Sequence, residues 1–181
     1  MYVGSMGQNN YFDVLIVGSG VAGLTLALHV DKRYRVAIIS KATLHGGASW
    51  LAQGGIAAVL DENDTKEAHI RDTEVAGAGL CHSETVRFVV ENGPDAVRWL
   101  INSGVDFTKN ENEENFHLTK EGGHSHRRIL HSADATGKAV TSALVEQVLA
   151  AKNITVLEHH YAIDLVTQAV KNSTKPRCVG A

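Results

Sequence analysis

The sequence predicts an α/β fold built on a parallel β-sheet, and three observations carry that prediction. Residues 12–17, ending Val14-Leu15-Ile16-Val17, form a short apolar run bounded by glycine, without the alternation of a half-exposed strand, as a strand covered on both faces requires. Gly18 to Gly23 then lead directly into Leu24-Thr25-Leu26-Ala27-Leu28-His29-Val30, which has a helical pattern. After a turn at Asp31 to Tyr34, Val36-Ala37-Ile38-Ile39 is a second buried run. Together they make a strand–helix–strand unit of roughly 30 residues, the length a parallel crossover needs.

Composition agrees with a globular domain. The 181 residues are 44% hydrophobic and 20% charged, enough to bury a core. Seventeen basic against twenty acidic residues give a net charge of −3, so there is no basic footprint for nucleic acid or an anionic membrane surface. No apolar run approaches the ~18 residues of a membrane span. Two cysteines, Cys81 and Cys178, and the lack of a signal peptide point to a reducing cytoplasm.

The remaining elements follow in order. Residues 1–10 are polar without apolar period and read as a loose terminus, leaving 11–181 as the domain. Ala42 to Leu60, rich in Gly, Ala and Ser, is expected to be a structured loop. Thr65 can cap a helix running to about Ala76. Ser83 can cap another, Glu84 to Glu91, which Gly93-Pro94 should interrupt. Pro94 suits the first turn of a further helix, Asp95 to Asn102, with Gly104 as its left-handed stop. Lys109 to Asn115 reads as a solvated loop. Val140, Leu144, Val148 and Leu149 mark a helix over Thr136 to Lys152, and Ile154–Leu157 and Ala162–Val166 read as strands. The chain stops at Arg177 to Ala181, where another strand is starting, which reads as truncation.

Gly18-Ser19-Gly20-Val21-Ala22-Gly23 is a GxGxxG string placed between a buried strand and a helix. Gly18 permits the tight turn, Gly20 lets a pyrophosphate approach the backbone, and Gly23 lets helix and strand pack closely. The helix N-terminus adds N–H groups and positive dipole. In this context the string points to a Rossmann-like dinucleotide site; the plain alternative is a glycine-rich turn. Units that bind NAD usually place Asp or Glu at the end of the second strand. Here Ser40 and Lys41 stand there. Serine is a weaker ribose partner, which lowers the NAD reading, and Lys41 is either a phosphate neighbour or a solvated residue.

These residues, with residues 36–65 (from Val36-Ala37-Ile38-Ile39-Ser40-Lys41 through Ala52-Gln53-Gly54-Gly55), resemble the flavoprotein family of succinate dehydrogenases, fumarate reductases and L-aspartate oxidases. Phe116 to Gly137 is most similar to the L-aspartate oxidase branch. The match runs from about Asp13 to Asp164. The resemblance implies an FAD-binding domain whose capping and C-terminal helical domains are absent from this chain. It places Ala52-Gln53-Gly54-Gly55 against the flavin, with Ala48, Ser49, Trp50 and Leu51 before it, and counts Ser40, Lys41 and Ala162 among the cofactor-binding residues. Relatives with covalent flavin carry histidine where Ala48 stands; His45 is out of register, so FAD is expected to be non-covalent. Glu121 stands where succinate-oxidising relatives have Phe.

The resemblance further implies oxidation of L-aspartate to iminoaspartate, with oxygen or fumarate as acceptor and the product passing towards quinolinate formation by quinolinate synthase. Glu121 then orients substrate. Aspartate is succinate with an ammonium on the oxidised carbon, and a carboxylate pairs with ammonium for about 1.5–3 kcal/mol while penalising succinate. The plain alternative is a solvated loop acid. A succinate dehydrogenase or fumarate reductase flavoprotein is the second reading, disfavoured by Ala48 and Glu121. A nucleotide-binding fragment without turnover is the third. His124, His126 and His131 could suggest a metal, but no cysteine or carboxylate stands at ligand spacing, so no metal is expected and the loop is read as a polar wall, with Arg127 adding positive potential. Cys81 is expected to be buried and inert, and the catalytic base to lie outside this chain.

Overall fold

The computed structural model describes residues 2–5, 8–111, 115–133 and 135–181. In chain order the elements are β1 (Tyr2–Ser5), β2 (Gln8–Tyr11), β3 (Val14–Val17), α1 (Val21–His29), β4 (Val36–Ser40), α2 (Ala48–Leu51) and β5 (Ile56–Ala57). There follow α3 (Lys66–Ala76), α4 (Ser83–Asn102), β6 (Leu118–Thr119), β7 (Ile129–Leu130), α5 (Thr136–Ala150), β8 (Ile154–Glu158), β9 (Val166–Gln168) and β10 (Arg177–Gly180). The chain divides into two compact units: residues 1–50 with 141–181, and residues 51–140.

The first unit holds the parallel sheet, in the order β3-β4-β8. Its register pairs Val14 to Val36 and Val36 to Ile154. Strand β4 is buried along its whole length, which explains why Val36 to Ile39 shows no polar alternation. Leu24 and Ala27 of α1 and Leu144, Val145 and Val148 of α5 are buried in the same unit. The α/β class and the strand–helix–strand unit are therefore as the sequence predicts.

A second sheet of this unit runs β2-β1-β10-β9. The terminus expected to be loose is thus paired: β1 is antiparallel to β2 and parallel to β10. Strand pairing satisfies backbone N–H and C=O groups irrespective of side chain, so a polar stretch without apolar period gave no sign of it. The strand expected at Ala162–Val166 begins only at Val166; Ile163 and Leu165 are exposed, so their apolar character reflects no strand burial.

The second unit contains α3, α4 and the antiparallel sheet β5-β7-β6. Thr65 caps α3 as expected, its hydroxyl accepting from the Ala68 N–H at 3.1 Å. Helix α4 corrects the predicted break: Pro94 sits inside one continuous helix. Val90, Pro94, Val97 and Leu100 are all buried, spaced as one helical face, and that burial offsets the roughly 3 kcal/mol an interior proline costs. The helix begins at Ser83 itself, with His82 at the cap position, and Gly104 (φ +96°) provides the left-handed stop. Part of the acidic loop, residues 112–114, lies outside the described residues. Among the described residues no helix is long and apolar enough to cross a membrane.

Candidate functional site: a dinucleotide cleft and a carboxylate-bearing cavity

In the first unit the chain leaves β3 and turns sharply at Gly18, whose N–H donates to the Ile39 carbonyl at 2.9 Å. Gly18 has φ +108°, a backbone region that disfavours any side chain. At Gly23 a Cβ would overlap the Gly18 carbonyl oxygen, so close strand–helix packing requires glycine there. Gly20 caps α1 without a side chain. Ser49 lies across from it: its Oγ accepts from the Val21 N–H at 3.2 Å and sits 3.3 Å from where a Gly20 Cβ would be.

A cleft of about 430 Å³ opens at this point, lined by Gly18, Ser19, Gly20, Ser40, Lys41, Ala48, Ser49 and Ala162 among others. The buried Ser19 and Ser40 hydroxyls share a hydrogen bond of 2.7 Å, tying the strand-end serine to the glycine loop. The Ser40 carbonyl accepts from the His160 N–H, and His159 takes φ +58° in the turn after β8. Helix N-terminal N–H groups, a glycine cradle and an adjacent cationic Lys41 fit the diphosphate of a dinucleotide. Val21, Ala22, Gly23 and Trp50 do not line the cleft; the Trp50 ring stands edge-on to His45 with centroids 4.6 Å apart.

In the second unit, Leu51 to Gly55 is exposed. The Gly137 N–H, in the first turn of α5, donates to the Ala52 carbonyl at 3.1 Å. Gly54 has φ +77°, and Gly55 packs so closely on β7 that a Cβ would overlap the Leu130 carbonyl oxygen. Gln53 and Gly54 share a cavity of about 360 Å³ with Thr119, Glu121, His131 and Ala133. The Glu121 Oε1 lies 3.8 Å from the position of a Gly54 Cβ. Two segments about 70 residues apart in sequence, joined only by the resemblance, are therefore neighbours.

Beneath the Glu121 loop lies a cluster the sequence did not reveal. Arg128 is fully buried. It donates through Nε and Nη2 to both oxygens of Asp64, each at 2.7 Å, and through Nη1 to Asp72 at 2.6 Å. Asp72 also accepts from the Ser125 N–H and Oγ, both at 2.7 Å, pinning the loop. Burial raises the Asp64 carboxyl, but the Arg128 hydrogen bond, the Thr65 N–H and the Arg128 charge outweigh it and hold the group below its ordinary range. Asp72 is held well below that range by its Ser125 and Arg128 bonds, again against desolvation. Burial, then the Arg128 charge, lowers the neighbouring His69.

The histidines of this loop are deployed separately. His124 and His126 stand against Arg128, with Nδ1 at 3.3 and 3.5 Å from its Nη1 and Nη2, whereas His131 bonds His117 at 2.8 Å. Arg127 reaches the Leu118 carbonyl at 3.3 Å. Cys81 is half-buried rather than buried, its thiol 3.6 Å from the Thr73 carbonyl.

A glycine cradle at the C-terminal end of a parallel strand, opening an α-helix, defines a dinucleotide-binding α/β domain. The chain belongs to the FAD binding domain family, which matches residues 13–181. It is 58% identical over 170 residues to L-aspartate oxidase 1 of Ralstonia nicotianae, covering 93% of this chain and 32% of that protein. To the L-aspartate oxidase of Pseudomonas aeruginosa it is 48% identical, covering 97% and 34%. In structure it resembles E. coli quinol fumarate reductase, with a TM-score of 0.81 and 28% identity over 87% of this chain and 27% of that one. The chain thus spans about a third of the length of the curated relatives it matches.

Proposed function

We propose that the protein carrying this chain oxidises L-aspartate to iminoaspartate in the cytoplasm, using non-covalent FAD and passing electrons to oxygen or fumarate. On this reading its product passes towards quinolinate formation, with quinolinate synthase as the downstream partner. The observation that carries the proposal is the Glu121 carboxylate beside Gln53 and Gly54 in one cavity. Its support from outside the structure is the similarity to proteins named L-aspartate oxidase.

In this scheme the first-unit cleft holds the FAD diphosphate at Gly18, Ser19 and Gly20, with Ser40, Lys41 and Ala162 at its wall. Residues Ala52 to Gly55 hold the flavin end, and Ala48 offers no nucleophile for a covalent link. Bound FAD supplies the hydride acceptor. Glu121 orients the substrate by pairing with its ammonium, which succinate lacks. Asp72 and Arg128 keep the loop bearing Glu121 in place through Ser125.

In the full-length protein, Glu121→Gln is expected to lower kcat/KM for aspartate by about 10–100-fold, the equivalent of one charge-assisted bond, and to reduce fumarate reduction much less. Equal losses for both reactions would remove the assigned role. Greater loss of fumarate reduction would favour the fumarate reductase reading.

A further inference from the structure

Two cavities of the second unit meet at a pair of histidines. His131 lines the Gln53–Glu121 cavity. His117 lines a different cavity, of about 650 Å³, whose charged walls are Asp61, Glu62 and Arg127. Between them His117 Nδ1 and His131 Nε2 are 2.8 Å apart, with the rings at 84°. Both residues are half-buried. The backbone fixes their spacing: Thr108 donates its N–H to the His131 carbonyl at 2.8 Å and accepts from the His117 N–H at 2.9 Å. A hydrogen bond between two imidazoles needs one protonated and one unprotonated nitrogen, so the contact holds a single proton that either ring can own.

We propose that His131 and His117 are a proton relay between the Gln53–Glu121 cavity and the Asp61–Arg127 cavity. The relay rests on the aspartate reading of the first of these. Converting the ammonium form of aspartate to its iminium form sends one hydride to the flavin and releases one proton from nitrogen, so each turnover needs a proton exit. The base expected outside this chain takes that proton from the substrate and hands it to His131 Nδ1; the shared proton passes from His131 Nε2 to His117 Nδ1, and His117 Nε2 gives its proton to water in the outer cavity. Both rings are left in the opposite tautomer. Reduction of the acceptor consumes protons, and one passing inward from His117 Nε2 to His131 Nδ1 restores the starting tautomers. Outward and inward passes therefore reset each other.

The test uses the full-length flavoprotein. His117→Gln keeps a hydrogen-bonding group towards His131 but cannot pass a proton on, so a structural role predicts retained activity whereas the relay predicts a kcat loss of about 10–100-fold with KM for aspartate little changed. His117→Ala is expected to lose as much and to regain activity with added imidazole; His117→Gln is not. Independently of turnover, histidine ring ¹⁵N spectra of the resting protein are expected to show one protonated and one unprotonated nitrogen coupled across the shared bond, a coupling absent in His117→Gln. Unchanged kcat in His117→Gln, no imidazole rescue of flavin-loaded His117→Ala, or two protonated shared nitrogens would each overturn the relay. Absence of aspartate turnover in the unsubstituted protein would instead overturn the functional reading, and the relay with it.

Discussion

Replacing Arg128 with methionine removes the cation from a cluster that excludes solvent almost completely. The Arg128 side chain is 0% exposed and those of Asp64 and Asp72 only 1% and 14%. The substitution keeps much of the aliphatic volume but leaves the Asp64 and Asp72 carboxylates without their guanidinium counter-charge. Breaking a buried pair in this way costs about 3–5 kcal/mol, and at about 2–4 °C per kcal/mol for a protein of this size the melting temperature should fall by about 6–20 °C. The sign of the pH effect follows from the same contacts. Burial already pushes the Asp64 carboxyl up and Arg128 is what reverses it, so without the guanidinium that group rises and takes a proton more readily. Urea unfolding followed by circular dichroism should therefore show a smaller deficit at about pH 5 than at about pH 8. Adding Asp64→Asn to Arg128→Met should recover part of the loss. A deficit below about 1 kcal/mol at the higher pH, or one equal at both, would refute the assignment of Arg128 as the counter-charge.

The intact cluster predicts its own acid sensitivity. His69 is lowered in the folded chain, so the unfolded chain binds its proton first. Stability is complete above about 6.5, the ordinary histidine value, and falls as pH drops through that window. Asp64 and Asp72, also lowered, add a second loss below about pH 4; a urea midpoint that is flat from about pH 7 to pH 5 would contradict the first step. Gly23→Ala places a Cβ on the Gly18 carbonyl oxygen and should strip FAD from the full-length protein, measured as loss of flavin absorbance after gel filtration. Full flavin retention would show that the turn can yield.

The legible parts of this protein are those whose constraints are local. Gly18, Gly20 and Gly23 sit within six residues of one another, and each obeys a steric rule of the turn they build, so their string announces itself. Thr65 is equally local, its cap partner Ala68 being three residues on. Arg128 is the opposite case: its partners Asp64 and Asp72 stand 64 and 56 residues away. In sequence it is the second arginine of a histidine-rich loop, where solvation is the ordinary expectation. A signal did exist, an acid directly before the Thr65 cap and another on the following helix, but nothing local joined them to the loop. Pro94 failed for a related reason: the break rule is local, whereas the burial of Val90, Val97 and Leu100 that overrides it belongs to the packed unit.

The Ala52 to Gly55 segment shows why legibility of a motif differs from knowledge of its cause. The resemblance gave all four residues one explanation, contact with flavin. The structure separates them. Gly55 must be glycine for packing, since any side chain would strike Leu130 and Ile129 of β7, and the Ala52 carbonyl accepts from the Gly137 N–H. Gly54 is held to glycine by its left-handed backbone, φ +77°, and both Gly54 and Gln53 line the cavity that Glu121 enters. The fold therefore accounts for both glycines of the segment, and of its side chains Gln53 is the one that lines the cavity without a packing demand of this kind. It follows that Gly55→Ala should act through stability, lowering the unfolding midpoint of β5–β7 pairing, whereas Gln53→Ala should leave stability unchanged and weaken flavin retention in the full-length protein. If instead Gln53→Ala unfolds the protein and Gly55→Ala only loses flavin, the division of labour drawn here is reversed.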